Sequence, residues 1–251
     1  MNKCIDGLAR DGFTVLKGVL PGEILDTLRD SIASTALRHS TAERPLRYVG
    51  GLLARNQDIA PYLAHPVVAE ICAYLFGPHC RISSVAGVVS EPGVERGDLH
   101  ADWPHKAGDA SCMRGPFGDS LVHLVTIWML TDFTAQNGGT IVRPGSHRPG
   151  GDGAGGRDEV HILGRAGDVA LLDARTWHAV APNVSRRPRV AVIARYAPWW
   201  LNLNPLRRGS RDREMIVDRC EGSDPYVVPL SAAQFSTLPA EVQPLLYSMV
   251  E

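Results

Sequence analysis

Between residues 81 and 197 the chain breaks into seven short β-prone runs, each bounded by Gly, Pro, Asn or Asp: RISSVAGVVS, LVHLVTIWMLTDF, GTIVRPG, EVHILG, DVALLD, TWHAVAP and RVAVIARYAP. None shows the three-and-four spacing of a helix, and no helical stretch separates one from the next. Successive strands joined this way cannot be the parallel strands of a βαβ fold, because a parallel crossover needs about a dozen residues or more, usually a helix. An antiparallel sandwich or barrel remains.

The flanks read differently. DGFTVLKGVL alternates and predicts a strand, after which Pro21 opens PGEILDTLRDSIASTALRH with Ile24, Leu25, Leu28 and Ile32 at helical spacing. HPVVAEICAYLFG predicts a second, shorter helix stopped by Gly77 and Pro78. The expected organisation is one domain over residues 1–251: a helical N-terminal flank to about residue 80, a β core over about 81–200 and a C-terminal extension. The glycine-rich stretch from Pro149 to Arg157 reads as a surface loop. Its G-x-G-x-x-G match at Gly151, Gly153 and Gly156 is not a dinucleotide fingerprint, since a PGSH turn precedes it and a strand follows, where the fingerprint needs a strand-to-helix turn.

Charge narrows the partner. Twenty-six basic residues against 27 acidic ones provide no field for nucleic acid or an anionic membrane, so the expected partner is a small molecule. Arg207, Arg208, Arg211 and Arg213 form a basic cluster that leaves nucleic-acid demethylation as a less favoured alternative and otherwise reads as a solvated tail. Five cysteines (Cys4, Cys72, Cys80, Cys112, Cys220) without a C-x-x-C pair resemble neither a disulfide framework nor a structural zinc site. With the charged start MNKCIDGLARDGF and no run long enough to span a bilayer, the expectation is a cytoplasmic protein.

Residues 100–104, HADWP, carry the chemistry. On an extended chain positions i and i+2 share a face, so His100 and Asp102 can converge on one ion. A buried Asp beside a His is costly without a compensating cation. For a third ligand, His39 and His65 flank helices, His79 lies in a turn, His147 and His161 border the glycine loop, His105 sits on a Pro-broken segment, and His123 lies in a buried-looking strand. His178 starts the second strand of GDVALLDARTWHAVAPNVS, from which it can face back toward His100. Two His and one carboxylate form the facial triad of non-heme Fe(II) oxygenases, which leaves positions open for a chelating cosubstrate and O2; zinc hydrolysis by the same ligands is the other chemistry open to them. A 2-oxo acid chelated through its head needs its far carboxylate held by an arginine fork. Arg189, eleven residues after His178, fits, with Arg186, Arg187 and Arg195 as rivals.

Four blocks, DGFTVLKGVL, LHADWP, IWMLTDFTAQNGGTIVRPGSH and GDVALLDARTWHAVAPNVSRRPRVAVIARY, resemble the phytanoyl-CoA dioxygenase family of Fe(II)/2-oxoglutarate oxygenases. The order W…L-x-D…N-G-G-T…P-G-S-H and then H…P-N…S…R is hard to meet by chance. The resemblance implies a mainly β fold with flanking α-helices, the double-stranded β-helix or cupin-like jelly roll. It implies His100, Asp102 and His178 as iron ligands, Arg189 as the partner of the distal 2-oxoglutarate carboxylate, and Trp128 and Thr140 as residues lining the cosubstrate pocket. Asp102 stands where halogenating relatives have Ala or Gly.

The implied activity is hydroxylation of an unactivated C–H of a small molecule, secondary metabolites included, using Fe(II), 2-oxoglutarate and O2 and releasing succinate and CO2. Desaturation, cyclisation or epoxidation at the same site, and a metal-binding jelly roll without oxygenase activity, are the alternatives. Trp103, Trp128, Trp199, Trp200, Tyr196, Arg44 and Arg47 are candidates for facing a pocket, though aromatic residues in a β-barrel are more often core.

Overall fold

The seven runs pair into two antiparallel sheets in the computed structural model, which describes residues 1–40, 45–102, 120–148, 158–204, 207, 209–212, 214–215 and 228–250. Strands β1 (Phe13–Leu16), β2 (Leu46–Gly50), β3 (Arg81–Ser90), β4 (Leu124–Met129), β7 (Val169–Asp173) and β9 (Arg189–Ala197) form the larger sheet, in the order β1-β7-β4-β9-β3-β2. Strands β5 (Thr140–Val142), β6 (Val160–Ile162) and β8 (His178–Val180) form the smaller one, in the order β6-β5-β8. Every pairing between these strands is antiparallel, and among the described residues no helix lies between β3 and β9. This is the jelly-roll architecture.

Alternation along the strands divides the interior in two. On β9, Val190, Val192, Ala194 and Tyr196 join the larger core between the large sheet and the helices, while Ala191 and Ile193 face the smaller core between the two sheets. On β4, Leu124 and Trp128 take the helix side and Val125, Ile127 and Met129 take the inner side, where Val142 of β5 and Ile162 of β6 meet them. Helix α2 (Gly22–His39) buries Leu28, Ile32, Thr35 and Ala36 against the outer face, and α4 (Pro66–Phe76) buries Val68, Ile71, Cys72 and Phe76. Each fully buried Leu or Ile contributes about 1.5–3 kcal/mol, so this layer holds the sheet's back while its front stays available for a site. The α4 boundaries follow from Pro66 at the first turn and Gly77 at the C-cap with φ 80°.

Several elements were not anticipated. Helix α1 (Asn2–Asp11) has no side-chain cap and carries Gly7 in its interior, so its local signal is weak; it holds by burying Cys4 and Leu8. Strand β2 is five residues long and exists through its register with β3, Leu46 opposite Ser90 to Gly50 opposite Ala86. Both edge strands of the large sheet therefore come from before residue 81, where the sequence reads as mainly helical. The short helices α3 (Ala60–Leu63), α5 (Ala232–Ser236) and α6 (Gln243–Leu246) complete the outer layer, with Leu238, Val242 and Leu246 in the larger core. Among the described residues no helix is long and apolar enough to cross a membrane.

Candidate metal centre

His100 and His178 are stapled to each other by main chain. His100 N–H donates to the His178 carbonyl at 2.9 Å and His178 N–H returns the bond at 2.8 Å, and the rings lie 4.5 Å apart between centroids. The extended stretch anticipated around HADWP is thus a single bridge onto β8 rather than a full strand. Two residues on, Asp102 N–H donates to Ala174 O at 2.8 Å, which brings its carboxylate back to the same point. His100 Nε2 lies 3.8 Å from Asp102 Oδ1 and His178 Nε2 lies 3.9 Å from Asp102 Oδ2. One donor atom from each of the three residues falls within 4.8 Å of the others.

The protonation states suit a cation. His100 Nδ1 is 2.9 Å from Asp98 O and His178 Nδ1 is 2.9 Å from Thr176 O. A carbonyl only accepts, so each Nδ1 carries the proton and each Nε2 presents a lone pair inward. Burial pushes the His178 imidazole below its ordinary value against the pull of Asp102, which keeps it neutral. Burial would raise Asp102, but the Arg195 guanidinium, His178 and His100 together hold it well below the usual carboxylate range. Two imidazoles that turn Nε2 inward and one carboxylate are a donor set for a divalent transition metal.

Arg189 opens β9, opposite Ser90 of β3. It is buried, 3% exposed, and stacks its guanidinium 4.9 Å from the Phe133 ring centre. Nε donates to Gly138 O at 2.9 Å and Nη2 donates to the same carbonyl. No described carboxylate pairs with it, and burial alone depresses it to about 10. Beside it the Ser90 hydroxyl is buried without a hydrogen-bond partner among the described residues. A buried guanidinium lacking a counter-ion next to an orphaned hydroxyl is a cradle for a carboxylate, and so fits the far end of a 2-oxo diacid. The N-G-G turn makes the cradle: Gly138 has φ 74°, and a Cβ there would collide with Ser90 Oγ. Asn183 of the P-N…S block locks the opposite wall, donating to Ser90 O at 2.7 Å and to Arg187 O at 3.0 Å.

The other candidates separate cleanly. Thr140 pairs with Val180 two places from the Val142–His178 pair, which puts it on the inner face. Trp128 does not line that face: its ring is fully buried on the helix side and its Nε1 donates to Thr126 Oγ1 at 2.9 Å. Alternation forces this, since Val125, Ile127 and Met129 hold the inner positions of β4. Arg195 is not free for a cosubstrate, because it is bound to Asp102. Arg186 and Arg187 are exposed in the β8–β9 turn. Tyr196 is core, its hydroxyl on Leu63 O at 2.7 Å; Arg47 pairs with Glu91; Trp199 and Trp200 are exposed. His123 is buried with Nε2 2.6 Å from Ser83 Oγ. Arg44, Trp103, His105, Arg208, Arg213, Cys112, Cys220 and the glycine-rich stretch 149–157 lie outside the described residues. Ser90 and Tyr48, both on the inner face, have no sequence pattern that would single them out.

Comparison with known proteins agrees. The chain is 33% identical over 141 residues to the dioxygenase andF of Emericella variicolor, covering 54% of this chain and 48% of that protein. It is 28% identical over 138 residues to the dioxygenase af480 of Aspergillus fumigatus, covering 53% and 42%. The chain thus spans about half the length of the curated relatives it matches. Among solved structures, the non-heme alpha ketoglutarate dependent epimerase SnoN from nogalamycin biosynthesis superposes with a TM-score of 0.63 at 23% identity over 78% of this chain and 82% of that one. The carbocyclase SnoK of the same biosynthesis superposes with 0.64 at 20% identity over 79% and 84%. The family profile for phytanoyl-CoA dioxygenase matches residues 8–191. With a match over most of its length, the chain belongs to the phytanoyl-CoA dioxygenase (PhyH) family, whose cofactors are Fe(II), 2-oxoglutarate and O2.

Proposed function

We propose that this protein is an Fe(II)/2-oxoglutarate-dependent oxygenase that hydroxylates an unactivated C–H bond of a small molecule, with release of succinate and CO2. The observation that carries the reading is the convergence of His100, Asp102 and His178, with both imidazoles locked to present Nε2. These three residues would hold the iron. When bound, iron with 2-oxoglutarate and O2 supplies an oxidation that begins by removing hydrogen from a C–H bond.

The chain's own residues bind and orient. Arg189 pairs with the distal carboxylate of 2-oxoglutarate, Ser90 donates its unused hydroxyl to the same group, and Thr140 lines the inner wall beside them. Val125, Ile127, Met129, Val142 and Ala191 form an apolar floor that keeps water from the space between the sheets. His100 remains half-exposed, so the substrate enters on its side. Desaturation, cyclisation and epoxidation start from the same hydrogen removal, and product analysis separates them. Near-balanced charge excludes no class of small substrate, so a secondary metabolite, an amino-acid derivative and an acyl thioester all remain compatible with the site. Residues 1–251 then act as one catalytic unit, and the free, buried thiols of Cys4, Cys72 and Cys80 support a reducing cytoplasm.

The test is an anaerobic titration of metal-free protein with Fe(II) and then 2-oxoglutarate, followed by its visible charge-transfer band and, after admitting O2, by succinate. His178→Ala is expected to lose the band and the succinate. A folded wild type that binds Fe(II) yet forms no band would refute the oxygenase assignment.

A further inference from the structure

Asp102 is not equally available through both of its oxygens. Arg195 donates Nε at 3.1 Å and Nη2 at 2.8 Å, and both bonds end on Oδ2. Oδ1 receives neither bond and lies 3.8 Å from His100 Nε2, while Oδ2, which carries both bonds, lies 3.9 Å from His178 Nε2. Arg195 is itself held in place, with a side chain 13% exposed. Its cross-strand partner on β3 is Ser84, whose hydroxyl lies 3.4 Å from Nη1, and the Tyr48 hydroxyl of β2 stands beside its guanidinium. It projects from the same face of β9 as Arg189, six residues on, or about 20 Å along the strand at ~3.3 Å per residue. The two arginines cannot serve one carboxylate.

We propose that Arg195 is a positioning residue that occupies Oδ2 of Asp102 and so offers the metal Oδ1 alone. A carboxylate can bind a metal through one oxygen or both. Two-oxygen binding would take one of the positions that a chelating cosubstrate and O2 require. Two N–H bonds on one oxygen stop the carboxylate from turning to bind through both, and the guanidinium offsets its charge so that the metal keeps more of its own. The inference rests on the iron site proposed above. It adds a division of labour: Arg189 recognises the cosubstrate and Arg195 fixes how the metal is held.

The test uses Co(II) as an optical stand-in, titrated without O2 or cosubstrate into metal-free wild type, Arg195→Gln and Arg195→Lys. The d–d bands report coordination number, and near-UV circular dichroism reports the fold. Removing a group that orients a ligand typically weakens metal binding roughly ten- to hundredfold. Arg195→Gln is expected to show that loss with an altered d–d spectrum, and Arg195→Lys, which keeps the cation but not the fork, a smaller one. Were Arg195 only a structural ion pair, the variants would lose thermal stability while the folded protein kept wild-type affinity and spectrum, and that result overturns the proposal. If Arg195→Gln does not fold, Arg195→Lys decides by the same criterion. A wild type that takes up no metal removes the iron site itself, a failure distinct from variants that match a metal-binding wild type.

Discussion

Replacing Arg189 by methionine should weaken 2-oxoglutarate binding about a hundredfold while leaving the metal-free protein close to wild-type stability. Arg189 is held at about 10 against an ordinary 12.5, and burial is the cause. At about 1.4 kcal/mol per pH unit, that gap means the buried, uncompensated charge costs the fold about 3 kcal/mol at neutral pH. Methionine removes this penalty. It also leaves Gly138 O without its two donated bonds, at a cost of about 1–3 kcal/mol. The two effects nearly cancel, so the metal-free protein should change by less than about 2 kcal/mol. No such cancellation operates in the complex, where the outer edge of the guanidinium fork would make charge-assisted bonds of about 1.5–3 kcal/mol each. Losing about 3 kcal/mol there is about a hundredfold in affinity. The assay is an anaerobic 2-oxoglutarate titration of Fe(II)-loaded protein alongside urea unfolding of metal-free protein. An affinity within about threefold of wild type, with Fe(II) still bound, would refute the role assigned to Arg189.

Two further outcomes are expected. Trp128→Phe should destabilise the fold by about 1–3 kcal/mol, because it shrinks a fully buried ring, yet leave 2-oxoglutarate affinity unchanged; a large loss of affinity would place the indole back in the pocket. Asp168→Asn should cost about 1–3 kcal/mol at pH 7, since the carboxylate accepts bonds from Lys17 Nζ, Gly18 N and Arg165 N. Burial raises the Asp168 carboxyl, but those bonds outweigh it and depress it overall, so its stabilisation is present above the unfolded carboxylate value and lost as pH falls through the folded one. The difference between wild type and variant should therefore shrink on acidification below about pH 4, and a difference that stays constant down to pH 3 would count against the ion-pair account.

What the sequence made legible depended on whether the signal was local. His100 and Asp102 sit at the i, i+2 spacing of extended chain, and His178 begins a run bounded by turn residues, so their convergence could be read without coordinates. The helices α2 and α4 carried apolar spacing and Pro or Gly punctuation. Trp128 shows where this fails. Every residue of β4 is buried, so no alternation of polarity marks which face is which, and a matched motif gives the position of a side chain but not its direction. Ser90 and Tyr48 were missed as parts of the site, and Arg195 was read as a rival for the cosubstrate rather than as the partner of Asp102, for another reason. A lone hydroxyl has no pattern, and an arginine's partner is fixed by pairings as distant as Ser84 with Arg195.

The placement of β1 and β2 at the two edges of the large sheet has a consequence for biosynthesis. Phe13 must wait for Leu172, and β3, the partner of β2, must wait for β9. At the ~5–20 residues per second of translation, β1 stays without its partner for on the order of ten seconds or more after leaving the ribosome. During that interval the β1 edge can template pairing with other chains. The charged residues around it, Arg10 and Asp11 before and Lys17 after, act as gatekeepers in that period. Expression yield should therefore be more sensitive to neutralising these three charges than the equilibrium stability of the finished protein is.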